Sequence, residues 1–215
     1  PSTSKTSSSS ALVAERLAKR MRERPQLQVL LVGPQNYESW VEARTMRNGR
    51  IRFMGTFAEA DLQDRIKLMF PHVRDGDRST DTMIHSKVMV IDDKLVRVGS
   101  ANINNRSCGT DTECDLAIEA HGASERQTIT QLRNRLIADH TGLTPSEVDE
   151  ALRNGPGLLA ACDLGARGHS LREVDDGEPD PAEMTQYIER IADPERPTPV
   201  DTLLSVEWSG GTARL

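Results

Sequence analysis

Residues 82–105 read TMIHSKVMVIDDKLVRVGSANINN, from Thr82 to Asn105. Apolar and β-branched residues fill Met83–Ile91 and again Leu95–Ser100, on either side of the polar Asp92-Asp93-Lys94, which predicts two β-strands joined by a tight turn. Side chains alternate faces along a strand, so His85, Lys87, Met89 and Ile91 share one face, and Ser86, Val88 and Val90 share the other. Two residues of strand span about 6.5 Å, which stands His85 and Lys87 side by side, close enough to hold one anion between them. If Asp93-Lys94 is a two-residue loop, Asp92 faces Leu95, Lys87 faces Ser100 and His85 faces Asn102. That register gathers His85, Lys87, Ser100 and Asn102 on one face, and a slip of one residue would break it.

Such a cluster holds an imidazole, an ammonium, a hydroxyl and a carboxamide. A histidine can act as nucleophile or as general acid near neutral pH. A lysine and two neutral donors can offset charge as it builds on phosphate oxygens. No set of Cys, His and carboxylate with metal-ligand spacing surrounds the stretch. The chemistry these residues suit is metal-free attack on a phosphodiester.

The spacing His85-x-Lys87, then four residues, Asp92, then six residues and Gly99-Ser100-x-Asn102, resembles the HKD motif of the phospholipase D superfamily. At roughly 5% usage per residue type, six fixed positions match by chance about once in 10⁸ windows. Glu113 stands where that family often has an acidic residue that hydrogen-bonds the motif histidine. The order of elements over residues 11–162, together with ECDLAIEA (113–120), LRNRLIADHTG (132–142) and DPERP (193–197), is similar to the C-terminal half of bacterial two-motif phospholipase D-like and cardiolipin-synthase-like proteins.

The resemblance implies an α/β fold: an α-β-α sandwich with a mixed, mostly parallel sheet flanked by helices, forming one HKD half. It implies catalytic roles for His85, Lys87, Asp92, Ser100, Asn102 and Glu113, with His85, Lys87, Ser100 and Asn102 on the phosphate, and no metal or other cofactor. In that family two motifs meet. One histidine attacks phosphorus to give a phosphohistidine, and the other protonates the leaving alcohol and then activates water or an acceptor alcohol. This chain carries one H-x-K, because His72, His121, His140 and His169 all lack a lysine two residues on. The second motif is therefore expected from a missing N-terminal half or from a homodimer partner. The Ser-rich start without Met favours the former, which would make His85 the general acid/base. The implied activity is hydrolysis or transfer at the phosphodiester of a phospholipid, at a membrane surface. A cardiolipin-synthase-like transferase, a nuclease, or a non-catalytic phosphoryl-binding module are the alternatives.

Composition bounds the rest. The 215 residues suit one domain with extensions, and a core of Leu, Ile, Val, Ala and Met, since aromatics are 3%. The net charge of −6 is uneven: residues 1–162 carry 22 basic and 21 acidic side chains, whereas 163–215 carry 5 and 12. Neither part has the basic stripe of a nucleic-acid binder, so no nucleic-acid partner is expected. Cys108, Cys114 and Cys162 are too few for a disulfide framework. No apolar run reaches the length of a membrane span and no targeting signal is visible, which leaves the compartment open.

Along the chain, 1–10 reads as a disordered Ser-rich leader, 11–162 as the HKD domain, and 163–215 as an acidic tail that is extended or partly disordered. Helices are expected at Ala11–Arg24, Glu38–Arg47, Arg50–Asp61 and Ser124–Asp139. The last should be capped by Ser124 with Gln127 and closed by Gly142. Thr144-Pro145-Ser146-Glu147 predicts another helix start. Leu27–Val32, Arg65–Phe70 (stopped by Pro71) and Glu113–Ala120 read as strands, and Val73–Thr82 as a loop holding His72 at its start. Met184–Ile191 reads as a short helix. Arg106 could hold a phosphate or form a structural ion pair.

Overall fold

The computed structural model describes residues 9–178 together with 180, 181, 192 and 193. Most of the expected leader and the expected helix Met184–Ile191 lie outside the described residues.

The elements are α1 (Ser9–Glu23), β1 (Val29–Val32), α2 (Trp40–Glu59), β2 (Ile66–Asp75), β3 (Arg78–Asp81), β4 (Lys87–Ile91) and β5 (Leu95–Gly99). They are followed by α3 (Asn105–Gly109), β6 (Asp115–Glu119), α4 (Ala123–Thr141), α5 (Pro145–Asn154), α6 (Leu158–Cys162) and β7 (His169–Glu173). They build two sheets. The first has β2 at its centre. β1 pairs with β2 in parallel over Ile66–Met69, β3 pairs antiparallel over His72–Asp75, and β7 pairs antiparallel over Met69–Val73. A strand has two edges, so β7 takes one while β1 and β3 share the other, end to end. The second sheet is the antiparallel ribbon β4-β5-β6.

The first sheet is a sandwich because its short strands are apolar on both faces. Val29 and Leu31 pack with Ala14, Ala18 and Met21 of α1 and Phe57 of α2. Leu30, Val32 and Met69 pack on the other side against Ile137 and Ala138 of α4, Val148 of α5 and Cys162 of α6. The α-β-α sandwich and mixed sheet therefore stand. The expectation of mostly parallel pairing does not, since β1–β2 is the one parallel ladder among the described residues.

Four expectations change, each for a tertiary reason. The helix expected in two pieces is one helix of 20 residues, N-capped by Ser39. Its mid-helix Asn48 is buried and hydrogen-bonded to Asp180, so polar residues that read as a break are satisfied from the far end of the chain. Pro71 does not end β2. It falls between Met69, where β1's ladder stops, and His72, where β3's begins, a seam where a missing N–H is tolerated. Val73–Thr82 is a hairpin through Gly76 (φ 57°) rather than a loop. His72 is accordingly a buried strand residue, with Nδ1 2.7 Å from Asp81 Oδ1. Within the expected tail, β7 adds to β2.

Capping was half as expected. Thr144 and Glu147 form the capping box of α5, and Gly142 closes α4 at φ 70°. α4 however begins at Gly122, two residues before the predicted cap, with Glu125 accepting from the N–H groups of His121 and Gly122.

Candidate active site

β1 and β3 run toward each other on the same edge of β2 and both turn away near Pro71. Pro34–Glu38 after β1 and Asp81–Met83 after β3 line a cleft of about 210 Å³ at this meeting point. The chain leaves it through an extended segment that carries His85 into β4.

The ribbon forms, but its first strand begins at Lys87 rather than Met83, which leaves His85 on the extended segment before it, and the pairing is one residue out of the expected register. Lys87 faces Gly99, Met89 faces Arg97 and Ile91 faces Leu95. The loop therefore has three residues, Asp92-Asp93-Lys94, with Asp92 at φ 52° and the Lys94 N–H donating to the Ile91 carbonyl at 3.0 Å. Asp-Lys is a poor pair for a two-residue loop, which needs positive φ at its first position or at both, and the chain supplies an Asp in the left-handed region one residue earlier.

This slip decides which candidates meet. His85 and Lys87 do: Lys87 Nζ lies 3.2 Å from His85 Nε2 and donates to the His85 carbonyl at 2.7 Å. His85 is exposed and Lys87 half-buried, so both are open to a ligand. Ser100 does not face Lys87 directly. It lies one residue beyond Gly99, so its neighbour along the ladder is one rung away. Ser100 Oγ donates to Glu113 Oε2 at 2.5 Å and accepts from the Cys114 N–H at 3.0 Å. Glu113 thus meets Ser100 rather than the His85 ring that the resemblance implied. Asn102 is exposed, and its backbone N–H donates to Ser107 Oγ at 3.0 Å. Asp92 is not brought to the cluster. It sits at the hairpin tip, roughly 16 Å of strand away from Lys87.

Two residues that the sequence reading passed over belong to this neighbourhood. Asp115 lies over Gly99, where an added Cβ would stand 1.7 Å from its Oδ1, and it pairs with Arg97 at 2.7 Å. The motif glycine is thereby explained as a close approach that any side chain would block. Two residues apart along an extended chain, Asp115 shares a face with Glu113. Asp193 is the second, quoted above as the start of DPERP but given no contact there: its carboxylate accepts from the Arg106 N–H at 2.9 Å, at the start of α3 just after the motif. No local signal could have found a contact across that separation. Arg106 itself pairs with Asp111 at 3.0 Å, the structural alternative of its two readings. Among the described residues, no three His, Cys, Asp or Glu side chains group in a way that could hold a metal ion, and no helix is long and apolar enough to cross a membrane.

The pairs His85–Lys87 and Ser100–Glu113 offer a ring nitrogen, an ammonium and a hydroxyl at the open end of a ribbon. They can bind an oxyanion and exchange a proton with it.

Residues 9–138 match the family described as cardiolipin synthase, PLD-like domain. Among curated proteins, phospholipase D gamma 2 of Arabidopsis thaliana is 36% identical over 76 residues, covering 31% of this chain and 9% of that protein. Phospholipase D zeta 1 of the same plant is 32% identical over 91 residues, covering 36% and 8%. The aligned stretch is under a tenth of the length of these relatives. The family match spans more than half of the chain and includes the whole ribbon with His85 and Lys87, and on that ground the chain belongs to the PLD-like domain family.

Proposed function

We propose that this chain is one half of a phospholipase D-type phosphodiesterase or phosphatidyltransferase acting on a phospholipid. The observation that carries the reading is the exposed His85–Lys87 pair, 3.2 Å apart, within the span matched by the family. A phosphate oxygen entering between them would draw the Lys87 ammonium off the ring, and Nε2 could then take up the proton that a general acid gives to the leaving alcohol. One histidine of an assembled pair attacks phosphorus, forming a P–N bond as the P–O bond to the leaving alcohol breaks. The other gives that alcohol its proton, then removes one from water or an acceptor alcohol, whose oxygen displaces the ring nitrogen. Only one H-x-K occurs among the five histidines, so the second ring comes from another half or another copy. His85 serves as the general acid/base when that other half supplies the nucleophile. Ser100 has one O–H, given to Glu113 here, and would serve the developing charge by turning that proton toward a phosphate oxygen.

The test is choline release from phosphatidylcholine in EDTA, with and without ethanol, by the assembled protein. Turnover should fall roughly 10²–10⁴-fold in His85→Ala, the worth of a general acid/base, with folding unchanged because the side chain is exposed. Turnover that survives the substitution, or is absent from every assembled form, would end the reading. Cleavage of nucleic acid instead of lipid would move the chain to the nuclease branch.

A further inference from the structure

We propose that the face of α2 formed by Arg44, Arg47, Asn48 and Arg50 is an anion-binding groove for phosphate monoester groups, and that the chain's own Asp176 and Asp180 are its resident occupants. Three guanidiniums and one carboxamide fall within two turns of one helix, and the C-terminal strap lies along them. Asp180 Oδ1 accepts from Arg44 Nη1 at 3.1 Å and Arg47 Nη2 at 2.8 Å. Its other oxygen accepts from Asn48 Nδ2 at 3.1 Å, and its N–H donates to Asn48 Oδ1 at 3.3 Å. The Asp180 side chain is 9% exposed and Asn48 only 2%. Asp176 pairs with Arg50, which also donates to the Pro34 carbonyl at 2.7 Å. Aromatic rings close both ends: Arg44 lies over Trp40 at 4.9 Å and Arg50 over Tyr37 at 5.3 Å.

Two features set this groove apart from a plain ion-pair clasp. Arg47 Nε and Arg50 Nε are buried and have no hydrogen-bond partner among the described residues. Buried N–H donors are nearly always paired, so Arg47 Nε and Arg50 Nε are two donors that Asp176 and Asp180 leave unfilled. A phosphate monoester carries more charge and one more acceptor oxygen than a carboxylate, and guanidiniums match it bidentately. The second feature is position. Arg50 fixes Pro34, Gln35 exchanges hydrogen bonds with the Asp175 backbone at 3.1 and 3.3 Å, and Pro34–Tyr37 is one wall of the cleft whose other wall ends at Met83, two residues before His85. A ligand that displaced the strap would therefore release that wall.

Binding of inorganic phosphate to the full chain, measured throughout in a His85→Ala, Lys87→Ala background, tests this without turnover and without a contribution from the His85–Lys87 pair. The double variant Asp176→Asn, Asp180→Asn should bind phosphate about tenfold or more tightly than this parent, and Arg47→Gln added to the double variant should remove the gain. Vesicles of phosphatidylcholine with phosphatidic acid form a second arm: preference for them over phosphatidylglycerol vesicles identifies a lipid source of the monoester, and preference for free phosphate a soluble one. Equal phosphate affinity in variant and parent would overturn the proposal. Should the double variant fail to fold, saturating phosphate on the parent must shift the Trp40 indole resonance, assigned with Trp208→Phe, and speed proteolysis within residues 175–180. If it does neither, the groove is only a clasp.

Discussion

The two sheets of this molecule are built from the same kinds of residue and meet opposite fates. β1 and β2 lie between two helical layers, and their apolar side chains reach neighbours on both faces. Among the described residues, the buried cluster of the ribbon β4-β5-β6 lies at its tip end, where Ile129 of α4 covers Val96, Ala120 and Val90. Toward the end that carries His85, Val88, Val98 and Leu116 of the same face are exposed, Leu116 at 64%. The difference teaches where stability and chemistry are kept. The sandwich supplies the burial that holds the chain folded, while the ribbon presents its motif in the open, with apolar surface left over beside it.

That contrast can be broken experimentally. The largest effect belongs to the sandwich: Phe57→Ala removes a fully buried ring at the α1–α2 layer and should cost about 3–5 kcal/mol in a urea melt. A cost under about 1 kcal/mol would mean the layer is not the stabilising core. Next comes the anchor. Ile129→Ala should fall toward the low end of the ~2–5 kcal/mol range for such truncations, because its surroundings are partly open. Amide exchange should then accelerate in β4, β5 and β6 while β2 keeps its protection; uniform acceleration would show that the two sheets open as one unit.

A smaller effect comes from His140, in the last turn of α4. Burial lowers its pKa below the ordinary 6.5. The unfolded chain therefore takes up a proton that the folded one refuses, between pH 6.5 and the lower folded value, and stability is lost as pH falls through that window. Urea midpoints across it should slope for the unaltered chain and slope less for His140→Gln; identical slopes would remove His140 from the acid response. The smallest effect is expected on the ribbon's bare face, where Leu116→Ser should change stability by less than about 0.5 kcal/mol. A loss above about 1.5 kcal/mol would show that this face is covered in solution.

What the sequence alone determined is everything set by short range. Alternation over 87–91 and 95–99 specified a ribbon, and the two-residue spacing kept His85 within reach of Lys87 although the strand begins only at Lys87. Thr144-x-x-Glu147 and Gly142 fixed their helix ends, because caps are satisfied within a turn. The apolar runs at 27–32 and 65–70 sufficed for a sheet covered on both sides. Tertiary structure decided the rest. The register of the ribbon turned on whether Asp92 would adopt a left-handed backbone, a cost of one residue weighed against the pairing of a whole sheet. That weighing moved Ser100 off the rung of Lys87, while the separate pairing of β5 with β6 brought Glu113 to Ser100. The continuity of α2 through Asn48 depended on Asp180, and the entry of Pro71 into a strand depended on where β1 stops and β3 begins. These outcomes hang on partners far along the chain, and buried polar groups take whichever partner the fold brings within hydrogen-bond reach.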